Sequence, residues 1–436
     1  MLTTPEERER QARNEVGQTV VTAPVSRLLT AGALVFLVGT LGWHTIADLR
    51  ADPGRWPSVL DPRTLPPVWD EISSVAAVDG WIDALALANE RVGVNIADYE
   101  TSLEERSPLI DALVPMVNLV VTSWLGGSTE SVYPGRGGWL FYRPDVEYVT
   151  GPGFLEPERL AARLLADPDV EPDPRAALIE LRDALQARGI ALVVVPVPLK
   201  PTIYPDRYVR RAENAVEPMR NTSQAAWLDA VRAEGIDIVD LTADFWQARQ
   251  IDDVPLYLRS DTHWTPAGVD LASDLLADHI ESLDLDWAGA PRTYSTATRQ
   301  ARNQGDTLAL LNLPQAQADR AAERVTLTQV LDPEGQGWQP DPTAEILLLG
   351  DSFANIYSLE ALGWGTAAGL TEQLSLRLGR PLDALRQNDA GSYATRQLLA
   401  AQRQQGRDRL AGKRLVIYQF ASRELAIGDW RTGLPY

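Results

Sequence analysis

Two short stretches of this chain hold residue types that can share a nucleophile and a proton. The first is GDSFAN, Gly350 to Asn355, directly after the apolar run ILLL. A serine leaving a parallel strand into a turn presents its hydroxyl with little steric cover. The backbone N–H of Ser352 or Phe353 could then face a developing oxyanion. An ordinary Gly-Asp-Ser turn, with Asp351 as a turn residue, would read the same way. The second stretch is SDTHWTPAG, Ser260 to Gly268. Of the 3 histidines, His44 lies in an apolar run and His279 near the end of a helical pattern. His263 alone stands in a polar turn just before a helix start. Asp261, two residues earlier, can accept the ring's Nδ1–H and leave Nε2 free as general base. Asp261 and Thr265 also suit simple capping of the following helix. The two motifs together favour a Ser352, His263 and Asp261 triad, which is the chemistry of acyl transfer through serine. No cofactor is implied, and the histidines lack the spacing of a metal site.

The elements that must position these residues are short apolar runs: GWLFYR (138–143), ALVVVPVP (191–198), IDIVDL (236–241), EILLLGD (345–351) and RLVIYQF (414–420). Continuous runs rich in Val, Ile and Leu suit strands buried on both faces of a parallel sheet. Helical patterns lie between them. Asp173 can cap, Pro174 fits the first turn and Gly189 suits the left-handed end of one helix. Thr265-Pro266 opens another, running toward Ile280. Strands alternating with helices predict an α/β domain, a parallel sheet flanked by helices, with its site at the carboxyl ends of the strands.

Composition limits the partners. The 60 acidic against 40 basic residues give a formal charge of −20, which argues against nucleic acid as a partner because phosphate binding needs a basic face. The same charge makes a polyanionic chain an awkward substrate. Cysteine is absent, so disulfides and thiolate metal sites are excluded. Between Arg27 and Asp48, the run Leu28–Ala47 carries no formal charge and would span roughly 30 Å as a helix, about one bilayer core. A cleaved signal peptide is the rival reading, disfavoured by the long leader before the run. The expected organisation is a short cytoplasmic tail (1–27), a transmembrane anchor (28–47), a proline-rich spacer and helical segment (48–130), and a catalytic domain outside the cytoplasm (131–436).

GDSF with a preceding D-x-H motif resembles the SGNH hydrolase-like proteins of the alginate O-acetylation type. Ordinary SGNH esterases carry the serine block first and a D-x-x-H block near the C-terminus; here the order is reversed. GRGGWLFYRPDVEYVTG (135–151), VPVPLKPTIYPDRY (195–208) and FASRELAIGDW (420–430) resemble that family's opening, Pro-Lys-Tyr-Pro and closing motifs. The resemblance covers roughly residues 130–436. It implies an SGNH hydrolase-like sheet with reordered motifs, Ser352 as nucleophile, His263 as base and Asp261 as orienting carboxylate. It further implies O-acetylation of an exported polysaccharide in the periplasm, the acetyl group coming from a membrane-bound O-acyltransferase partner. The oxyanion Gly and Asn of the SGNH set have no clear match; Asn388 or Tyr393, in NDAGSYATR, could supply the second donor. Lys200 and Arg423, at strand exits, and Arg396 could hold sugar or acyl donor, although Arg423 could equally pair with a carboxylate as scaffold. Trp264 and Trp364 suit either sugar stacking or core packing. The same triad would serve a carbohydrate acetylesterase if water replaced the sugar. A non-catalytic polysaccharide-binding assembly protein is a third reading, disfavoured by an intact Ser, His and Asp set.

Overall fold

The computed structural model describes residues 23–51, 72–74, 80–82, 84–89, 108–124, 126–251 and 255–436. The chain divides into two compact units, Met1–Pro115 and Met116–Tyr436. In the first, Ala23–Ala51 is one helix of 29 residues, continuous through the charge-free stretch Leu28–Ala47. Among the described residues, no helix is long and apolar enough to cross a membrane. Part of this helix's side chains, residues 1–22 of the expected tail and 52–71 of the expected spacer lie outside the described residues.

In the second unit, β1 (Val132–Pro134) and β2 (Leu140–Tyr142) form a small antiparallel pair. The run GWLFYR was expected among the sheet strands, but it pairs locally instead. The turn Arg136–Gly138 folds it back, and Leu140 N donates to Arg259 O at 2.8 Å rather than to a sheet neighbour. β3 (Ala191–Val197) and β4 (Asp237–Ile238) begin the main sheet. β5 (Ser295–Asn303) and β6 (Glu323–Leu331) make a second antiparallel pair, and β7 (Ile346–Gly350), β8 (Leu382–Arg386) and β9 (Leu415–Ala421) complete the main sheet. Its order is β4-β3-β9-β7-β8, and every neighbouring pair is parallel.

The burial explains the sequence pattern. All 7 residues of β9 and all 5 of β7 are buried, which a strand covered on both faces requires. Helices supply that cover. Asp173 accepts from Arg175 N at 3.0 Å and opens the helix Pro174–Gln186, whose Leu178, Leu181 and Leu185 are fully buried. Each such leucine stabilises the fold by roughly 1.5–3 kcal/mol relative to exposure. Thr265 Oγ1 accepts from Gly268 N at 3.3 Å and opens the helix Pro266–Ser282. The carboxyl ends of the strands then lead to Lys200 after β3, Ser352 after β7, Asn388 after β8 and Arg423 after β9.

Candidate active site

β7 ends at Gly350, and the chain turns at Asp351 into the short helix Ser352–Asn355. Asp351 fixes that turn. Its Oδ1 accepts from Phe353 N at 2.9 Å and Gln419 Nε2 at 2.7 Å, and its Oδ2 accepts from Ala421 N at 2.6 Å. The turn is therefore tied to β9, and Asp351 serves as a cap. The Phe353 amide is thereby committed and cannot face an oxyanion; the Ser352 amide, at the first helical position, has no intrahelical acceptor.

His263 reaches the same point from a tight loop. Leu258 N donates to His263 O at 3.0 Å and Thr265 N to Leu256 O at 2.9 Å, closing residues 256–265 on themselves. Asp261 Oδ1 lies 2.6 Å from His263 Nδ1, and His263 Nε2 lies 2.8 Å from Ser352 Oγ. With the Nδ1 proton donated to Asp261, Nε2 is the acceptor for the serine hydroxyl. The three side chains expected to act together are thus hydrogen-bonded in series, on residues only 2%, 5% and 7% exposed.

Asp261 is also held from its far side. Its Oδ2 accepts from the Trp364 indole at 2.9 Å and from Asp306 N at 3.1 Å. Burial pushes the Asp261 carboxyl up, but the charge and N–H groups of His263, with the Trp364 indole, overcome it and hold the group well below the usual carboxylate range. Burial likewise lowers His263, yet the neighbouring Asp261 charge and hydrogen bond, followed by Asp306, leave its pKa raised above the ordinary 6.5.

The β5–β6 insertion, lying between the two motifs, clamps the histidine loop. Glu323 Oε1 accepts from Ser260 N at 2.7 Å and Ser260 Oγ at 2.6 Å, while Asp306 Oδ1 accepts from Thr262 N at 2.6 Å. Gly305 has φ +84, and a Cβ there would sit 2.3 Å from Ser260 O, so only glycine allows this approach. Asp306 Oδ2 comes within 3.6 Å of His263 Nδ1. The Asp306 side chain keeps 39% of its surface open but lies in a concave wall. Lost hydration there and the charge of Asp261 raise its pKa.

Folding therefore assembles a group that sequence spacing did not offer: ligand atoms of Asp261, His263 and Asp306 lie within 4.8 Å of one another. Both oxygens of Asp261 and both ring nitrogens of His263 are already engaged in the hydrogen bonds above.

A pocket of about 490 Å³ is lined by Asp261, His263 and Ser352 together with Tyr142, Asp306, Asn388, Asp389 and Arg423. That volume lies within the range of small-molecule binding sites. Asn388 Oδ1 accepts from Asn355 Nδ2 at 2.8 Å, which leaves the Asn388 amide nitrogen without a partner among the described residues. Arg423 Nη1 pairs with Asp145 Oδ1 at 2.9 Å, and Asp145 is 1% exposed. Burial disfavours the Arg423 charge, but Asp145, Asp351 and Glu424 around it raise its pKa and keep it protonated.

Three expected contacts lie elsewhere. Lys200 is 0% exposed, and its Nζ donates to Leu140 O at 2.6 Å and Arg259 O at 3.4 Å. It secures the β1–β2 pair and the histidine loop instead of touching a ligand, and burial lowers its pKa to about 8. Arg396 is also 0% exposed: Nε donates to Ser392 O and Nη1 to Arg431 O and Tyr436 Oη, so it binds the last residues to the helix Ala394–Gln404. Tyr393 lies against Arg396 and Arg431 as a cation–π partner and does not line the pocket. Trp264 and Trp364 are both 0% exposed, which excludes sugar stacking. Trp364 has a different importance, as the indole that fixes Asp261.

A parallel α/β sheet carrying a Gly-Asp-Ser turn at a strand exit, opposite an Asp-x-His loop, defines an SGNH hydrolase-like protein. Residues 132–421 match the family described as SGNH hydrolase-like domain, acetyltransferase AlgX, and the chain belongs to that family. It is similar to the probable alginate O-acetylase AlgJ of Pseudomonas aeruginosa, 28% identical over 179 residues that cover 41% of this chain and 40% of that one. The AlgJ of Pseudomonas syringae pv. tomato is 32% identical over 145 residues, 33% of this chain and 35% of the relative. The chain thus spans about two fifths of the length of the curated relatives it matches. Among solved structures, the O-acetyltransferase domain of Pseudomonas putida AlgJ aligns with TM-score 0.49 and 20% identity, covering 69% of this chain and 93% of that domain.

Proposed function

We propose that this chain is a polysaccharide O-acetyltransferase that works through an acetyl-serine at Ser352. The observation that carries the reading is the unbroken series from Asp261 Oδ1 to His263 Nδ1 and from His263 Nε2 to Ser352 Oγ, at 2.6 and 2.8 Å, opening onto a pocket. The family and the relatives named as alginate O-acetylases support it. Ser352 Oγ attacks the carbonyl carbon of an acetyl donor while its proton passes to His263 Nε2. The Ser352 amide and the Asn388 side chain stabilise the oxyanion, and the imidazolium returns the proton to the departing donor group. A sugar hydroxyl then gives its proton to His263, attacks the acetyl-serine carbonyl and releases Ser352, which takes the proton back. Asp261 stays ionised throughout.

Transfer and hydrolysis share this chemistry and differ in the second nucleophile. A sugar hydroxyl held beside the acetyl-serine reacts at a high effective concentration, worth several kcal/mol over a randomly placed nucleophile. Raising oligosaccharide concentration with a chromogenic acetyl ester should therefore move acetyl from acetate into acetylated sugar and speed discharge. If acetate stays the sole product with every polymer, and acetylated polysaccharide is itself stripped, the protein is an acetylesterase.

The same reading includes a membrane anchor and a catalytic domain outside the cytoplasm, with a membrane-bound O-acyltransferase presenting the acetyl group. Its support is the charge-free Leu28–Ala47 within one continuous helix, where Leu28, Val35 and Val38 are 73%, 73% and 67% exposed. Exposed large apolar side chains in a row suit lipid. The native protein should sediment with membranes and resist carbonate washing. Recovery from the soluble exported fraction with its N-terminus trimmed past Ala47 would make the segment a signal peptide.

A further inference from the structure

The pocket beside Ser352 is unevenly charged. Asp306 and Asp389 face it, and Arg423 is its one cationic lining residue among those described. Arg423 is already matched by Asp145 at 2.9 Å. Asp389 is exposed and accepts no hydrogen bond among the described residues, so its carboxylate remains open to a ligand. Asp306 turns Oδ2 toward His263 with 39% of its side chain open. The rest of the wall offers apolar surface from Leu310, 45% exposed, and the side chain of Gln304, whose Nε2 is held by Asp319 and whose amide oxygen is left to accept. Carboxylates and amides accept from sugar hydroxyls, and apolar side chains cover the C–H face of a pyranose. A sugar carboxylate placed here would meet two like charges with no free cation to receive it.

The arginines that could take a polyanion lie elsewhere. Arg207, Arg259 and Arg324 line a separate cavity, which none of Asp261, His263 and Ser352 lines.

We propose that the acceptor is an uncharged glycan, its hydroxyls read by Asp306 and Asp389, and that these two carboxylates turn uronate sugars away. The proposal rests on the acetyl-transfer reading and deepens it.

The test gives the full-length protein a chromogenic acetyl ester as donor and two acceptors of equal length, a neutral gluco-oligosaccharide and an oligomannuronate. Acetylated product is quantified by mass spectrometry. The neutral acceptor should be preferred in kcat/KM by about tenfold or more, the ratio expected from roughly 1.4 kcal/mol of charge discrimination. Asp389→Asn should narrow the ratio and Asp389→Lys narrow it further or invert it, whereas Arg324→Glu should leave it unchanged. Preference for oligomannuronate, equal use of both, or a ratio insensitive to Asp389 overturns the proposal while leaving acetyl transfer standing. Acetate as the only product with both acceptors overturns the transfer reading and this proposal with it.

Discussion

Ser352→Ala should lower acetyl turnover by on the order of 10⁶-fold while leaving the protein folded, as expected where one member of a cooperative triad is lost. The size follows from the site's wiring. Ser352 Oγ is the atom His263 Nε2 faces at 2.8 Å, and no other hydroxyl stands within reach of that nitrogen among the described hydrogen bonds. Without it, no covalent intermediate forms, and what remains is whatever the Ser352 amide and Asn388 contribute to direct attack by solvent. The fold should not notice. The substitution keeps Cβ, removes one hydroxyl from a residue 7% exposed, and leaves Asp351 holding the turn through Phe353, Gln419 and Ala421. A stability loss beyond about 1 kcal/mol is not expected for a single neutral hydrogen bond. His263→Ala is a poorer probe, because it strips Asp261 of its largest electrostatic partner and leaves a buried carboxylate to Trp364 and Asp306 N. Turnover of the chromogenic ester, with circular dichroism and thermal melting as controls, decides the matter. A folded Ser352→Ala protein with turnover near wild type would remove the serine from the mechanism.

What could be read in the sequence was what local chemistry fixes. Ile346–Gly350 and Leu415–Ala421 announce themselves because strands buried on both faces tolerate no polar alternation. Asp173-Pro174 and Thr265-Pro266 announce helix starts because caps act within three residues. The hydrogen-bonded series of Asp261, His263 and Ser352 was legible for the same reason, since Asp261 and His263 are neighbours in one turn and Ser352 stands at a strand exit. β8 was not: Leu382–Arg386 carries a buried aspartate and an arginine, a composition no periodicity marks as strand, and it pairs only at the sheet's edge. Asp306 was missed, and Trp364 was named only for stacking or packing, because their bonds to Asp261 span 45 and 103 residues and nothing local forecasts them. Lys200 and Arg396 show the converse error. Position near a strand exit or a candidate loop says where the Cα lies, but both side chains turn inward to satisfy backbone carbonyls. A buried cation with fixed acceptors is scaffold.

Asp261→Asn should cost about 10⁴-fold in kcat, the scale on which other serine triads respond to the same change, through a conflict written into its surroundings. Four N–H groups converge on the carboxylate: His263 N at 3.1 Å and Nδ1 at 2.6 Å meet Oδ1, while Trp364 Nε1 at 2.9 Å and Asp306 N at 3.1 Å meet Oδ2. An amide has one oxygen. If it faces Trp364 and Asp306, its NH₂ meets Nδ1, which must give up its proton, and the proton moves to Nε2, where it blocks acceptance from Ser352. If the oxygen faces His263, the NH₂ opposes two donors and the loop is strained. Either placement harms the hydrogen-bonded series, whereas the near-isosteric side chain keeps the packing. A pH signature accompanies the loss. In the proposed mechanism the working base is neutral His263, and its pKa is raised above 6.5 chiefly by Asp261. Wild-type turnover should therefore fall as pH drops through a value higher than that of an ordinary histidine. Removing the Asp261 charge lowers the histidine pKa and carries this acid limb to lower pH. The shift should be partial, since Asp306 stays 3.6 Å from Nδ1 and still favours the charged ring, while Arg423 opposes it. Rate profiles of kcat/KM between about pH 5 and 9, a range spanning the usual histidine titration, separate the outcomes. An Asp261→Asn protein within tenfold of wild type and with an unmoved acid limb would mean that Asp261 caps its loop and does not set the histidine's tautomer.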